Sequence, residues 1–173
     1  MLRLSKFAQL AASAKNAMSS RSAASTQENL NTINASVQKL IGVVNAYGGG
    51  LLAASPISNQ EAALGIDIKN ATADANASEV VTVDEAKDII GYITNTLAPS
   101  IRDCMAAMKS KKELFVSSSL QGTVTGDMKD LRVQTETLGK ALVAKAPASE
   151  QEEGRRVLKV IDADFEDAIK HFS

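Results

Sequence analysis

Five Ser or Thr residues in this chain stand three positions before a Glu or Gln, each at the head of a helix-spaced apolar run: Ser25/Glu28, Ser58/Glu61, Thr82/Glu85, Ser118/Gln121 and Ser149/Glu152. In a capping box the hydroxyl accepts the N3 amide while the Glu or Gln reaches back to the cap's own N–H, so two donors that helix geometry leaves orphaned are satisfied. The pairs predict five helix starts. The helices that begin there account for nearly the whole polypeptide and leave few residues with catalytic chemistry outside. A sixth match, Ser110/Glu113, opens no comparable run.

The apolar spacing gives the helices their extents. The first is predicted from about Thr26 to Tyr47, with Leu30, Ile33, Val37, Leu40, Val44 and Tyr47 at alternating steps of three and four. Gly48 to Gly50 stop it, with Gly48 as the expected left-handed residue after the helix. Ser58 is expected to start the second helix, carrying Leu64, Ile68, Ala71 and Ala75. The third runs from Thr82 through Ile90, Ile93 and Leu97 to Cys104, Met105 and Met108, with a kink or break expected near Pro99, where the amide is missing. The fourth spans about Leu120 to Ala146 and the fifth Glu150 to Phe172. Short connections between the third, fourth and fifth make sequential neighbours antiparallel. The expected fold is all-α: a single-domain up-and-down bundle of about five long amphipathic helices over residues 25–173.

Composition agrees and excludes several functions. Of the 173 residues, 45% are apolar but only 3% aromatic, which suits closely packed, Ala-rich helices. Residues 1–24 carry Arg3, Lys6, Lys15 and Arg21 and no acid; without those four cations the net charge of −1 becomes −5 for the remainder. An acidic body with no basic stripe speaks against nucleic acid and anionic membrane as partners. No apolar stretch approaches the roughly 20 residues needed to span a bilayer. The basic segment 1–24, with Leu4, Phe7, Ala11 and Ala14 on one face, reads as a transit-like or spuriously included extension, or as an ordinary extra helix.

Candidate reactive groups are sparse. His171, the single histidine, closes the last helix, where its charge suits the helix C-terminus. Asp162, Asp164, Glu166 and Asp167 are spread around a helix and read as a solvated face, so no metal site, catalytic group or cofactor is expected. Cys104, the single cysteine, sits on an apolar face with no His or second Cys beside it, and reads as an inert thiol. Asn34, Asn70 and Asn76 head N-glycosylation sequons, which tilts the chain toward the secretory route. Thr135 is the one polar residue inside the fourth apolar stripe; its hydroxyl either bonds the carbonyl one turn back or is free to hold a ligand's polar head. Ser117, Ser118, Ser119 and Gln121 cluster at the start of the same helix, where capping accounts for most of them.

A longer set of features resembles a known family. These are Leu30-x2-Ile33-x3-Val37-x2-Leu40, Val44-Asn45-Ala46-Tyr47-Gly48-Gly49-Gly50, the Ala-rich segment to Ala77 and Thr94-Asn95-Thr96-Leu97-Ala98-Pro99-Ser100-Ile101. They continue with Lys111-Lys112 turning into Leu114-Phe115, then Leu138-Gly139-Lys140-Ala141-Leu142 and Ile161-Asp162-x2-Phe165-x2-Ala168-Ile169-x2-Phe172. In this order, over about 85% of the chain, they resemble the fungal hydrophobic surface-binding protein A family, which includes antigenic cell-wall galactomannoproteins. The resemblance implies a secreted or wall-associated helical domain, in some relatives virulence-associated, that holds a fatty acid or similar lipid between its helices. This chain departs from the family in lacking a clean secretion signal, a Ser/Thr-rich stalk and an apolar C-terminal tail, which leaves an intracellular location as the alternative.

The resulting expectation is a non-enzymatic lipid carrier. A long-chain fatty acid would lie along the bundle axis against Val37, Leu40, Ile68, Ile93, Leu97, Met105, Met128, Leu131, Leu138, Ile161 and Phe165, its head group meeting Thr135 or the candidates Ser118, Ser119 and Gln121. The alternative is a structural protein with a filled core that coats hydrophobic surfaces or the cell wall and takes no specific ligand. The same apolar stripes serve either.

Overall fold

The computed structural model describes the backbone of residues 3–173, and the side chains of these except 3–8, 10, 11, 19 and 20. The long helices are α1 (Arg3–Ala46), α2 (Ser55–Ala77), α3 (Val83–Tyr92), α4 (Ala98–Ser110), α6 (Gln121–Lys145) and α7 (Gln151–Phe172); a short α5 (Lys112–Ser117) lies between α4 and α6. Among the described residues there is no strand. A π turn, Ile93–Leu97, joins α3 and α4 into one continuous rod, so five long rods form the bundle.

Their stripes bury as the periodicity requires. Leu30, Ile33, Val37, Leu40, Val44 and Tyr47 are all 3% exposed or less, and Leu64, Ile68, Ala71 and Ala75 are buried opposite them. Helix directions alternate, yet the packing order is not the chain order. α1 packs on α2, α2 on α6, α6 on α7, α7 on α4 and α4 back on α1. α6 comes after the α3–α4 rod in sequence but sits between α2 and α7. The rods therefore close into a ring of five around a shared core: sequential rods run antiparallel, as expected, while three contacts of the ring, α2 with α6, α7 with α4 and α4 with α1, join rods that run parallel.

Helix starts depart most from the sequence expectation. Only Thr82/Glu85 forms the full box, with the Glu85 N–H donating to Thr82 Oγ1 and the Thr82 N–H to Glu85 Oε2. Ser25 lies within α1 and donates instead to Asp74 of α2 at 2.8 Å. α2 begins at Ser55, with Pro56 in its first turn, where the missing N–H costs nothing; Ser58 is thus already helical. Ser118 donates to Leu114 O, while Leu120 occupies the cap position of α6, and Ser149 makes no cap to α7. α1 runs as one helix from Arg3 because nothing between residues 3 and 46 breaks it; Gln9 and residues 12–18 are exposed, while the Leu4, Phe7 and Ala11 side chains lie outside the described residues. Gly49 and Gly50, not Gly48, adopt positive φ, 98° and 96°.

The break expected at Pro99 takes the form of the π turn. The Ala98 N–H reaches back to Ile93 O, and Pro99, with no N–H to give, comes directly after. The widened turn absorbs the proline without bending the chain out of the ring.

Both ends of the bundle are tied. At one, Tyr47 stacks on Phe115 at 4.8 Å, Phe115 meets Phe172 at 6.1 Å, and both phenylalanines are 1% exposed or less. Lys111 and Lys112 donate to the C-terminal carbonyls of Tyr47 and His171, at 3.0 and 2.5 Å, over this plug. At the other, the Val81 N–H donates to Lys145 O, and Lys145 Nζ to Ser78 O at 2.6 Å. Because the Thr82 box is the one reciprocal cap among the described residues, Thr82→Ala is expected to cost ~1 kcal/mol in urea denaturation. Ser58→Ala, at an exposed helical position, is expected to stay within ~0.5 kcal/mol of the parent.

Candidate functional site: an apolar cavity inside the ring

The ring is not filled to its centre. A central cavity is lined from every rod, by Leu30, Ile33, Val37 and Leu40 of α1, Leu64 and Ile68 of α2, Ile93 and Leu97 of the π turn, Ile101, Cys104 and Met105 of α4, Leu131, Thr135, Leu138, Gly139 and Leu142 of α6, and Leu158, Ile161 and Phe165 of α7. Toward the Val81–Lys145 end lies a second, distal cavity, bordered by Ala75, Val81, Ala86, Ile89, Ile90, Val143 and Val157 among others. The two share Ile93, Gly139, Leu142 and Leu158. Each offers about 50 Å³ to the centres of water-sized spheres, room for a few waters at ~10–15 Å³ apiece on that measure. Walls so apolar give a water few partners.

Of the twelve expected lipid contacts, eleven line the central cavity: Val37, Leu40, Ile68, Ile93, Leu97, Met105, Leu131, Thr135, Leu138, Ile161 and Phe165. Met128 is 1% exposed but lies in filled core, away from both cavities. The sequence reading did not assign Leu30, Ile33, Leu64, Ile101, Cys104, Leu142 and Leu158 to the site, although all are on its apolar stripes. It also missed Gly139, for which no periodic signal exists.

Thr135 is the polar exception in the wall. Thr125 and Thr137 on the same helix donate to Gln121 O and Val133 O one turn back. Among the described residues the half-buried Thr135 hydroxyl has no such bond, and it borders both the central cavity and a small outer hollow shared with Arg132 and Asp162. Ser118, Ser119 and Gln121 lie elsewhere, at the aromatic end. Ser118 Oγ accepts from Tyr47 Oη and the Gly50 N–H, both at 2.8 Å, Ser119 takes the strained φ of 60° that turns the chain into α6, and Gln121 Nε2 donates to Phe172 O. None of the three lines a cavity. They hold the α5–α6 corner together.

The reactive residues are accounted for by packing and pairing. Cys104 is 2% exposed, and burial, with Glu61 nearby, pushes its thiol up to about 12, far from a thiolate at neutral pH. The α7 acids are ion-paired: Asp162 and Glu166 with Arg132, Asp164 with Arg102, Asp167 with Lys109. Hydrogen bonding from Arg132 holds the Asp162 carboxyl below its usual range. Among the described residues no group of three potential ligands could hold a metal ion, and no helix is long and apolar enough to cross a membrane. Asn70 and Asn76 are exposed on α2, whereas Asn34 is half-buried with its Oδ1 enclosed.

Residues 23–144, about seven-tenths of the chain, match the family described as hydrophobic surface binding protein A. The chain belongs to that family. Among solved structures, Afmp4p in complex with palmitic acid is similar to it with a TM-score of 0.84 at 30% identity, over 87% of this chain and 99% of Afmp4p. Ligand binding domain 1 of Penicillium marneffei MP1 protein, complexed with arachidonic acids, gives 0.80 at 17% identity, covering 85% of this chain and 95% of that one. Domain 2 of the same protein, complexed with multiple arachidonic acids, gives 0.80 at 20%, covering 85% and 93%. At those identities the MP1 domains speak to the shared fold. No curated protein sequence matches this family member significantly.

One buried acid stands behind the cavity wall. Glu61 of α2 lies in a cleft against α6 with Asp127, Asp130, Lys69, Ser58 and Gln134, and Leu131 borders both this cleft and the central cavity. Burial, then the neighbouring Asp127, raises its pKa from 4.5 to about 8. A carboxyl whose folded value lies above its unfolded one binds its proton more tightly in the native state, so stability falls as pH rises from about 4.5 to 8 and levels off above. For one group the decline is at most about 1.4 kcal/mol per pH unit. Urea denaturation from pH 5 to 9 is expected to show that decline in the parent and to show it much reduced in Glu61→Gln.

Proposed function

We propose that this chain binds and sequesters or transports a long-chain fatty acid or similar lipid, with the alkyl chain in the central cavity and its head group at Thr135. The carrying observation is an apolar cavity with a wall contributed by all five rods and one unengaged hydroxyl at its edge. The palmitic acid complex of Afmp4p, a 30% identical protein with the same fold, supports the ligand class. Each buried methylene contributes about 0.8 kcal/mol, so sixteen carbons supply on the order of 12 kcal/mol before immobilisation is subtracted. The present cavities are smaller than such a chain, so uptake requires wall side chains to move. Met105, unbranched and with three rotatable bonds, and the π turn at Ile93 are the adaptable parts of that wall. Carriage, not catalysis, is the role that fits an inert thiol and ion-paired carboxylates. Secretion, wall association and glycans on Asn70 and Asn76 belong to the same reading.

Native mass spectrometry is expected to find a fatty acid retained by the folded protein and released on denaturation. Ile93→Trp, which puts a large ring where the two cavities meet, is expected to weaken displacement of a fluorescent fatty acid at least tenfold with helicity unchanged; Met128→Leu is expected to leave it alone. Thr135→Val is expected to weaken binding about tenfold, the ~1.5 kcal/mol of a hydrogen bond to a charged group. Retention of no lipid and no saturable displacement would overturn the reading.

A second reading rests on a separate observation. Leu51 and Leu52, 66% and 90% exposed beside Gly49 and Gly50, form an apolar tip between α1 and α2 that suits adsorption to a hydrophobic surface. Leu51→Ser with Leu52→Ser is expected to reduce adsorption to polystyrene severalfold and to leave fatty acid displacement unchanged.

A further inference from the structure

One stretch of the α6–α7 seam is closed by aliphatic side chains seated against glycines. Leu158 of α7 lies in the notch left by Gly139 of α6: a Cβ placed on that glycine would fall 2.1 Å from Leu158 Cδ2 and 2.7 Å from Cδ1. One turn away the arrangement is reversed, with Val143 Cγ2 of α6 3.0 Å from where a Cβ would stand on Gly154 of α7. Two aliphatic side chains, each in the other helix's glycine notch, thus zip the seam. This stretch of the seam has no hydrogen bond or ion pair across it, the pairing of Arg132 with Asp162 and Glu166 tying α6 to α7 nearer the aromatic end, and its opening requires rotamer changes that are fast on the scale of helix motion.

Leu158 also borders four spaces at once. It lines the central cavity, the distal cavity, the small hollow beside Thr135 and an open outer groove between α6 and α7. It is half-buried, with one side on the interior and the other toward solvent. The groove outside carries three cations, Lys140, Arg155 and Lys159, against Glu136 and Asp162. Lys140 is engaged by Glu136 at 2.6 Å, Arg155 by Glu152 at 3.3 Å and Asp162 by Arg132 at 2.5 Å. Among the described residues Lys159 has no partner, and it adjoins Leu158 in sequence.

We propose that the α6–α7 groove is the port through which a single-chain amphipathic anion enters and leaves the cavity, with Leu158 as its gate and Lys159 as the charge that first receives the head group. The proposal rests on the lipid-binding reading above. Swinging Leu158 out of the Gly139 notch joins the groove to both internal cavities in one step. The alkyl chain then passes inward while the carboxylate stays at the seam, where it can settle against Thr135. A gate of this kind sets rates more than affinity, because the bound chain makes the same wall contacts however it arrived. A rim charge acts on association and its salt dependence.

Stopped-flow mixing with cis-parinaric acid and with its methyl ester tests this. Leu158→Ala is expected to raise association and dissociation rates together by about tenfold, an acceleration of uptake that loss of a wall contact alone does not produce. Leu30→Ala, an equal truncation of the cavity wall away from the seam, is expected to change affinity without that paired acceleration. Lys159→Glu is expected to slow association of the acid several-fold at low salt, less at high salt, and not to slow the ester. A cross-link through Val143→Cys with Gly154→Cys, distant in chemistry from the buried Cys104, is expected to block uptake when oxidised and restore it on reduction. No saturable signal from the parent protein would overturn lipid binding itself and the port with it. Normal parental binding with unchanged rates in Leu158→Ala, or with full uptake through the oxidised cross-link, would overturn the port alone. Equal slowing of acid and ester by Lys159→Glu would remove the role given to that lysine.

Discussion

A closed ring of five helices has a geometric remainder that smaller bundles lack. With neighbouring axes ~9 Å apart, five axes stand about 8 Å from their common centre, while a helix with its side chains has a radius of roughly 5–6 Å. The difference, on the order of 2 Å, is about the half-thickness of a single alkyl chain judged from carbon–carbon contact distances. Four helices at the same spacing would leave hardly any gap. The order of packing, α1, α2, α6, α7, α4, is therefore the constraint that creates the cavity. Its wall is almost wholly aliphatic, with Phe165 the one ring among the residues that line it.

Phe165 apart, the aromatic residues that meet one another end the bore instead. Tyr47, Phe115 and Phe172 form a plug at one end, held over by Lys111 and Lys112 on the last carbonyls of α1 and α7. The other end is tied by backbone pairing at Val81 and by Lys145. With both ends engaged, exchange through the side wall is the simplest route, and the stretch of the α6–α7 seam around Leu158, away from the Arg132 ion pairs, is closed by van der Waals contact in glycine notches. The α2–α6 seam is closed differently, by a carboxyl, Glu61, kept protonated into the neutral range by burial and Asp127. The α4–α7 seam carries the ion pairs of Arg102 and Lys109.

The stripes were legible in the sequence because burial in a helix has a period, and every long rod here has one buried face. That is why eleven residues named from spacing alone meet in one cavity, and why Met128, on the same stripe but nearer the plug, could not be separated from them. Helix starts were less legible, since a Ser three residues before a Glu is local and says nothing about whether a helix is already running. Ser25 shows this: its hydroxyl serves Asp74 across the bundle. The polar cluster at 117–121 was placed near a ligand's head because the direction of α6 was known and the sealing of its end was not; the aromatics at the ends of α1, α5 and α7 carried that information. The seating of Leu158 on Gly139 was invisible because it is a contact between two helices, and periodicity describes one at a time.

The π turn at Ile93–Leu97 gives the cavity wall an unusual heritage. One added residue per turn rotates the remainder of the rod by roughly 100°. Ahead of the turn Ile89 and Ile90 face the distal cavity; from its last residue onward Leu97, Ile101 and Met105 face the central one, and Ile93 borders both. A single rod thus lines two compartments with two differently phased stripes. In genetic terms, loss or gain of one codon in this stretch would re-phase half a wall while leaving the other half, both helix caps and the reading frame intact, so cavity shape in such a bundle can change by length as well as by substitution.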